Sequence, residues 1–298
     1  MKRWVVEAGS HRVVDDVVRA MGEGLEALAE GRVFIGRARA IAGASVAAGD
    51  EVTLHAPPKQ AHGVQILRAV GGIVAALKPA GIPTIADHRG RVVSVVAAVA
   101  RALDLPESRV HTTSRLDADV SGIVVLATSD EAREHLALCR QRGKYARLYV
   151  ALATTAPKTD VGVWSEPIGR ATDPRLRAVH GREPADAQTR YRIACRTAAG
   201  VMLAVTPITG RTHQIRLHAS HAGAPLVGDR AYGGASRVVT PAGTVVTPSR
   251  IALHCARVTL PPMRGASAIV FEAPVPPELT EVWLALGGAR SDWSLALK

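Results

Sequence analysis

Ser114-Arg115-Leu116-Asp117-Ala118-Asp119-Val120-Ser121-Gly122 runs without a break into Ile123-Val124-Val125-Leu126-Ala127. The first part is polar, charged and ends in two small residues; the second is an apolar run of strand length. The junction reads as a charged loop projecting from a core strand of a buried sheet, a common place for chemistry. An aspartate in a polar loop is ordinarily a cap or turn residue. Here Arg115 two residues earlier, the small Ser121-Gly122 pair and the apolar strand single out the loop, but not Asp117 over Asp119.

Thr128 or Ser129 can cap the next helix, with Asp130 and Glu131 in its first turn and Gly143 as its stop. A strand over 148–153 carries Tyr149, and a polar, Arg-rich excursion from about 157 to 184 follows. Further strands are expected at 187–193 and 201–205, a helix over 212–222, a mobile surface loop over 233–248, then a strand containing Leu253-His254. Before the central stretch, 72–77 reads as a strand and 92–103 as a buried helix. Residues 55–60, HAPPKQ, break regular structure and form the expected linker.

Strands outnumber helices in an order unlike repeated βαβ units. The expected class is therefore α+β, with a mixed, mainly antiparallel central sheet, flanking helices and loops, and a small N-terminal α/β module. The expected boundaries are 1–60 for the module, 65–275 for the main domain and 276–298 for a C-terminal tail. Within the module, Val13 to Leu28 has helical spacing, and turns near 30–36 and 48–54 lead into strands.

Of the 298 residues 47% are hydrophobic but only 3% aromatic, so the core rests on Val, Leu, Ile and Ala. Cys139, Cys195 and Cys255 are far apart and form no Cys-x-x-Cys pair, which disfavours disulfides and zinc knuckles and fits a reducing cytoplasm. No stretch matches a signal peptide or a membrane span of ~20 apolar residues, so a soluble cytoplasmic protein is expected. The formal net charge is +11. Residues 1–62 hold eight basic and eight acidic residues, so the excess lies in 63–298, with 29 basic and 18 acidic. A basic excess of this kind favours a polyanionic partner such as nucleic acid.

Two further stretches bear on chemistry. Arg147-Leu148-Tyr149-Val150-Ala151 sets an aromatic beside the basic run Arg140, Arg142, Lys144 and Arg147. Thr209-Gly210-Arg211-Thr212-His213-Gln214-Ile215-Arg216-Leu217-His218 offers cations and hydrogen-bonding groups able to hold a carboxylate ionised. His213, His218 and His221 share the helix, but a five-residue step turns the first two about 140° apart, unlike the i, i+4 pair of a zinc site. No metal is expected. There is no Walker-type loop or dinucleotide fingerprint.

Taken in order, the three stretches resemble the RluA-type family of RNA pseudouridine synthases over roughly residues 65–275. The resemblance implies the pseudouridine synthase fold and isomerisation of uridine in ribosomal or transfer RNA without a cofactor. It implies an essential Asp117, acting as nucleophile or as base, with Arg216 as its ion-pair partner. Tyr149 would stack on the target base and assist proton transfer. Arg115 would fill the space left by a flipped nucleotide, Arg140, Arg142, Lys144 and Arg147 would meet the RNA phosphates, Arg211 would shape its turn or meet phosphate, and His213 would satisfy hydrogen bonds around the loop or the RNA.

Ser114 departs from the family, which has histidine there. Val227-Gly228-Asp229-Arg230-Ala231-Tyr232-Gly233 and Leu253-His254 also fit family patterns and read as architectural. Residues 1–60 resemble the small RNA-binding module of a small-subunit ribosomal protein, although their net charge is zero. A monomer is expected. The competing reading is a non-catalytic RNA-binding or ribosome-assembly factor on the same fold. A hydrolytic glycosidase is disfavoured because no second carboxylate is evident.

Overall fold

The computed structural model describes residues 2–9, 13–22, 24–29, 32–54, 63–86, 92–240, 243, 245–263, 265 and 267–298. The expected linker, 55–60, lies outside them. The chain divides into two compact units, Met1–His62 with Ile85–Ser94, and Gly63–Thr84 with Val95–Lys298.

In the first unit a four-stranded antiparallel sheet runs in the order Lys2–Val5, Glu51–Leu54, Val33–Ile35, Ala38–Arg39. Helices Val14–Ala20 and Glu26–Ala29 accompany it. Val14, Val17 and Val18 recur at helical spacing and pack with Val33, Val52 and Leu54 in a small aliphatic core.

The second unit is built on a ten-stranded sheet. Its main path is Val161–Trp164, Thr189–Arg196, Val201–Pro207, Ala146–Ala153, Leu253–Leu260, Ser121–Ala127, Ile73–Lys78 and Gln65–Val70. Short strands His111–Thr112 and Ile269–Glu272 join at the side. Every pairing is antiparallel except that of Ser121–Ala127 with Leu253–Leu260. The expected mixed, mainly antiparallel sheet is therefore what the chain forms.

All seven residues of Ser121–Ala127 are buried, because the sheet is covered on both faces. One side holds Val120, Ile123, Val125, Leu136, Leu203, Val205 and Leu226. The other holds Leu152, Met202, Leu279, Val282, Trp283 and Leu286. Each large aliphatic chain in these layers stabilises the fold by roughly 1.5–3 kcal/mol. Gly122, at φ 122°, lies against the Cys255 backbone, where a β-carbon has no room. That is the physical reason for a glycine at this position after the charged loop.

Three segments are more ordered than their composition suggests. The Arg-rich excursion contains the edge strand Val161–Trp164 and a three-stranded sheet of Arg177–Val179, Ile168–Arg170 and Arg182–Ala185. The 233–248 segment carries paired strands Val238–Val239 and Val245–Val246. Beyond 276, helices Pro277–Ala285 and Trp293–Ala296 cover the second sheet face, with Trp283 fully buried. The strands among them are only two to four residues long, so alternation barely marks them. Among the described residues no helix is long and apolar enough to cross a membrane.

Candidate active site

Asp117 sits in the loop that enters Ser121–Ala127, and main-chain bonds fix that loop from below. Thr84 Oγ1 accepts from the Leu116 amide and donates to the Leu116 carbonyl, both at 3.0 Å. The Lys78 ammonium donates to the carbonyls of Ala118 at 2.7 Å and Pro79 at 3.0 Å, and the Gly81 amide adds a second donor to Ala118 at 2.8 Å. Lys78 is fully buried. Burial pushes its ammonium down to about 7, against the pull of Asp119 and Asp117.

The Asp117 carboxylate stands above this anchored backbone with its side chain 26% exposed. Arg216 reaches it from helix Gln214–His221, with Nη1 donating to Oδ2 at 2.9 Å. The same guanidinium grips Asp229 at two points, Nε to Oδ2 at 2.7 Å and Nη2 to Oδ1 at 2.9 Å. Asp229 is 1% exposed. Its backbone approach depends on Gly228, where a β-carbon would run into the Arg250 carbonyl. The Tyr232 ring lies under the guanidinium, 4.9 Å from its central carbon. Burial pulls Arg216 down, but the bonds and charge of Asp229, then those of Asp117, hold it above the usual arginine range. The cation is permanent, and one of its faces is committed to Asp117.

His213 completes the wall in a left-handed conformation at φ 58°. Its Nδ1 lies 2.7 Å from the Tyr232 hydroxyl and its Nε2 3.8 Å from Asp117 Oδ2. The Arg177 amide donates to the Tyr232 oxygen at 3.0 Å, which leaves the phenolic proton for Nδ1 and turns an Nε2 proton toward Asp117. Burial, reinforced by Arg216 and Arg177 and opposed by Asp117, lowers the imidazole below its ordinary value.

Tyr149 is buried in strand Ala146–Ala153. Its hydroxyl lies in reach of the Cys255 thiol and the Arg147 guanidinium, and burial pushes the phenol up. Such a phenol stays protonated at neutral pH. Tyr145, in contrast, is tied to the Asp117 loop, its hydroxyl 3.2 Å from Ser114 Oγ.

The structure thus brings together Asp117, Arg216 and His213. Arg115, Arg140, Arg142 and Lys144 are exposed, Arg147 is half-buried, and Arg211 is exposed with Nε bonded to the Asp186 carbonyl at 2.9 Å. His218 is buried and satisfied by Thr189 and the Glu166 carbonyl, each at 2.9 Å. Among the described residues no group of three or more His, Cys, Asp or Glu could hold a metal ion. Sequence reasoning left Asp229, Tyr232, Lys78 and Tyr145 out of the site. A lysine ending an apolar strand and an aspartate between glycines were the available signals.

The sheet and its flanking helices have the architecture of pseudouridylate synthases. Human RNA pseudouridylate synthase domain containing 4 and domain containing 1 superpose with TM-scores of 0.58 at 20% identity. The superpositions cover 74% and 78% of this chain and 92% and 98% of those chains. Residues 72–221 match the RNA pseudouridylate synthase family, and the chain belongs to it. An uncharacterized RNA pseudouridine synthase of Chloroflexus aurantiacus is 36% identical over 68% of this chain and 63% of its own length. Ribosomal large subunit pseudouridine synthase D of Nitrosomonas europaea is 34% identical over 60% of this chain and 52% of its own length. The chain therefore spans about half to two-thirds of the length of these relatives.

Proposed function

We propose that this chain isomerises specific uridines of structured ribosomal or transfer RNA to pseudouridine. The C1′–N1 bond of the nucleotide breaks, the uracil turns within the pocket, C1′ rejoins at C5, and the proton lost from C5 is matched by one gained at N1. Substrate and product are isomers, so no water is activated and one working carboxylate suffices. Asp117 is that carboxylate, as nucleophile or as base toward a sugar proton. Arg216 holds and aims it through their ion pair, and Asp229 keeps Arg216 in place.

Residues 65–275 carry this activity in the proposal, with 1–60 as an appended RNA-binding-like module. Tyr149 serves proton transfer from its buried position. Arg115 takes the place of the flipped uridine, and Arg140, Arg142, Lys144, Arg147, Arg211 and His213 meet the RNA. The observation that carries the reading is the shared guanidinium: a partly open aspartate at 2.9 Å from an arginine already clasped by a buried acid. The reading is tested by mapping pseudouridines in total RNA from cells with the gene, without it, and with Asp117→Asn restored. A site lost in the deletion and not regained with the variant supports it. Identical maps in all three would sink it.

A further inference from the structure

Arg140 and Arg147 converge on one point, beside Gly210. Arg140 lies in the last turn of helix Asp130–Gln141, and Arg147 is the second residue of strand Ala146–Ala153. A β-carbon built on Gly210 would meet Arg140 Nη2 at 3.4 Å and Arg147 Nη2 at 3.6 Å. The two terminal nitrogens are therefore no more than about 7 Å apart, a span that one tetrahedral oxyanion can bridge with two charge-assisted bonds. Gly210 supplies no side chain to fill the gap.

Arg147 is held from several sides. Its Nη2 donates to the Thr209 carbonyl at 3.0 Å, and its guanidinium carbon stands 5.9 Å from the Tyr145 ring centre. Arg140 is pulled below its usual range by burial and then by Arg147. Burial pulls Arg147 down, but the Tyr149 and Tyr145 phenols and the Cys255 thiol hold it above its usual range, and among the described residues no Asp or Glu acts on either cation. Two facing guanidiniums without a carboxylate form an arrangement that lacks its anion.

We infer that Arg140 and Arg147 form one built phosphate subsite across Gly210, which takes a single phosphodiester of the RNA strand beside the target uridine. Tyr145 connects this subsite to the loop chemistry, since it packs by Arg147 and bonds Ser114, three residues before Asp117. The inference rests on the RNA-directed reading above. It separates these two residues from Arg142 and Lys144, which act as independent exposed charges.

The test is binding of a fluorescent oligouridylate between about 50 and 200 mM salt. Arg140→Gln and Arg147→Gln each weaken binding about tenfold, and the double variant is no weaker than either single. The double variant also lowers the salt slope by about 0.7, the value of one single-strand phosphate. Gly210→Glu places a carboxylate between the guanidiniums, so it binds like the double variant while melting at or above the wild-type temperature. That rise guards against mistaking misfolding of Arg147→Gln for lost contact.

Inorganic phosphate raises the melting temperature of wild type but not of Gly210→Glu, and competes with the oligouridylate. Additive losses in the double variant, or wild-type affinity in Gly210→Glu, overturn the shared subsite. Competition by phosphate with no effect of the variants on oligouridylate affinity assigns the pair to free phosphate and overturns the RNA assignment. Because these readouts are affinities, they stay separate from turnover. A chain that forms no pseudouridine can still show the subsite, and an active one can lack it.

Discussion

Arg216 and Asp229 meet through two parallel hydrogen bonds, 2.7 and 2.9 Å, with both side chains almost wholly withdrawn from water. A buried bidentate pair of this kind fixes orientation more than it adds net stability. What it orients is the third nitrogen, which points at Asp117.

Removing the buried acid leaves the guanidinium desolvated and half-satisfied. Asp229→Ala should cost about 3–5 kcal/mol of stability and lower turnover on the order of 10²-fold through misplacement of Arg216. Asp229→Asn keeps one acceptor and should lie between. Urea denaturation and single-turnover pseudouridine formation read the two effects separately.

Asp117 predicts the opposite division. Its side chain is partly open, and Arg216 retains Asp229 when it is gone. Asp117→Asn should change stability by no more than about 1 kcal/mol and leave RNA affinity near wild type, while abolishing product. An Asn variant with full turnover would remove Asp117 from the reaction.

The contrast between these two aspartates shows what the sequence carries. The Asp117 loop is legible because a charged stretch meets an apolar strand, the junction that also placed Ser121–Ala127 in the core, whereas the choice of Asp117 over Asp119 came from the family resemblance alone. Asp229 is not legible, since its importance comes from a bond to a residue thirteen positions earlier that only the folded turn creates. Tyr145 and Tyr149 lie in one strand region, and the family resemblance favoured Tyr149. Only packing tells that the Tyr145 hydroxyl faces the Asp117 loop while that of Tyr149 faces Cys255. The edge strands around 161–185 were hidden for another reason: exposed strands of three or four residues bury too little to leave an apolar pattern.

Tyr232 holds the imidazole of His213 through one hydroxyl. Tyr232→Phe keeps the ring under Arg216 but leaves Nδ1 and the Arg177 amide without that partner, at a cost of about 1–3 kcal/mol. The imidazole should lose its fixed tautomer, visible as a changed ring-nitrogen NMR pattern. Because burial lowers the His213 pKa, wild type should keep a neutral ring at pH 7 and lose stability as pH falls below the ordinary histidine range. An unchanged tautomer pattern in the Phe variant would break the proposed Tyr232–His213 link.

Tyr149→Phe deletes the hydroxyl between Cys255 and Arg147 without changing the packed ring. Uridine cleavage should persist while loss of the C5 proton slows, so tritium release from C5-labelled RNA should fall more than substrate binding does. Equal rates in both proteins would exclude the hydroxyl from proton transfer.

Lys78 gives the structure a pH signature of its own. Its ammonium sits at about 7 when folded and near 10.4 in an unfolded chain. Between those values the unfolded state binds a proton that the folded state has shed, so stability rises with pH across this window, by a few kcal/mol in all. Below pH 7 both states carry the charge and the slope vanishes. Lys78→Met should flatten the rise in urea titrations from pH 6 to 10. The variant also frees the Ala118 carbonyl from its 2.7 Å donor, so the loop should loosen and turnover fall even at the pH where its stability equals wild type. A variant that keeps the wild-type pH slope would show that some other group carries it, and one with undiminished turnover would show that the Gly81 amide alone suffices to hold the Asp117 loop.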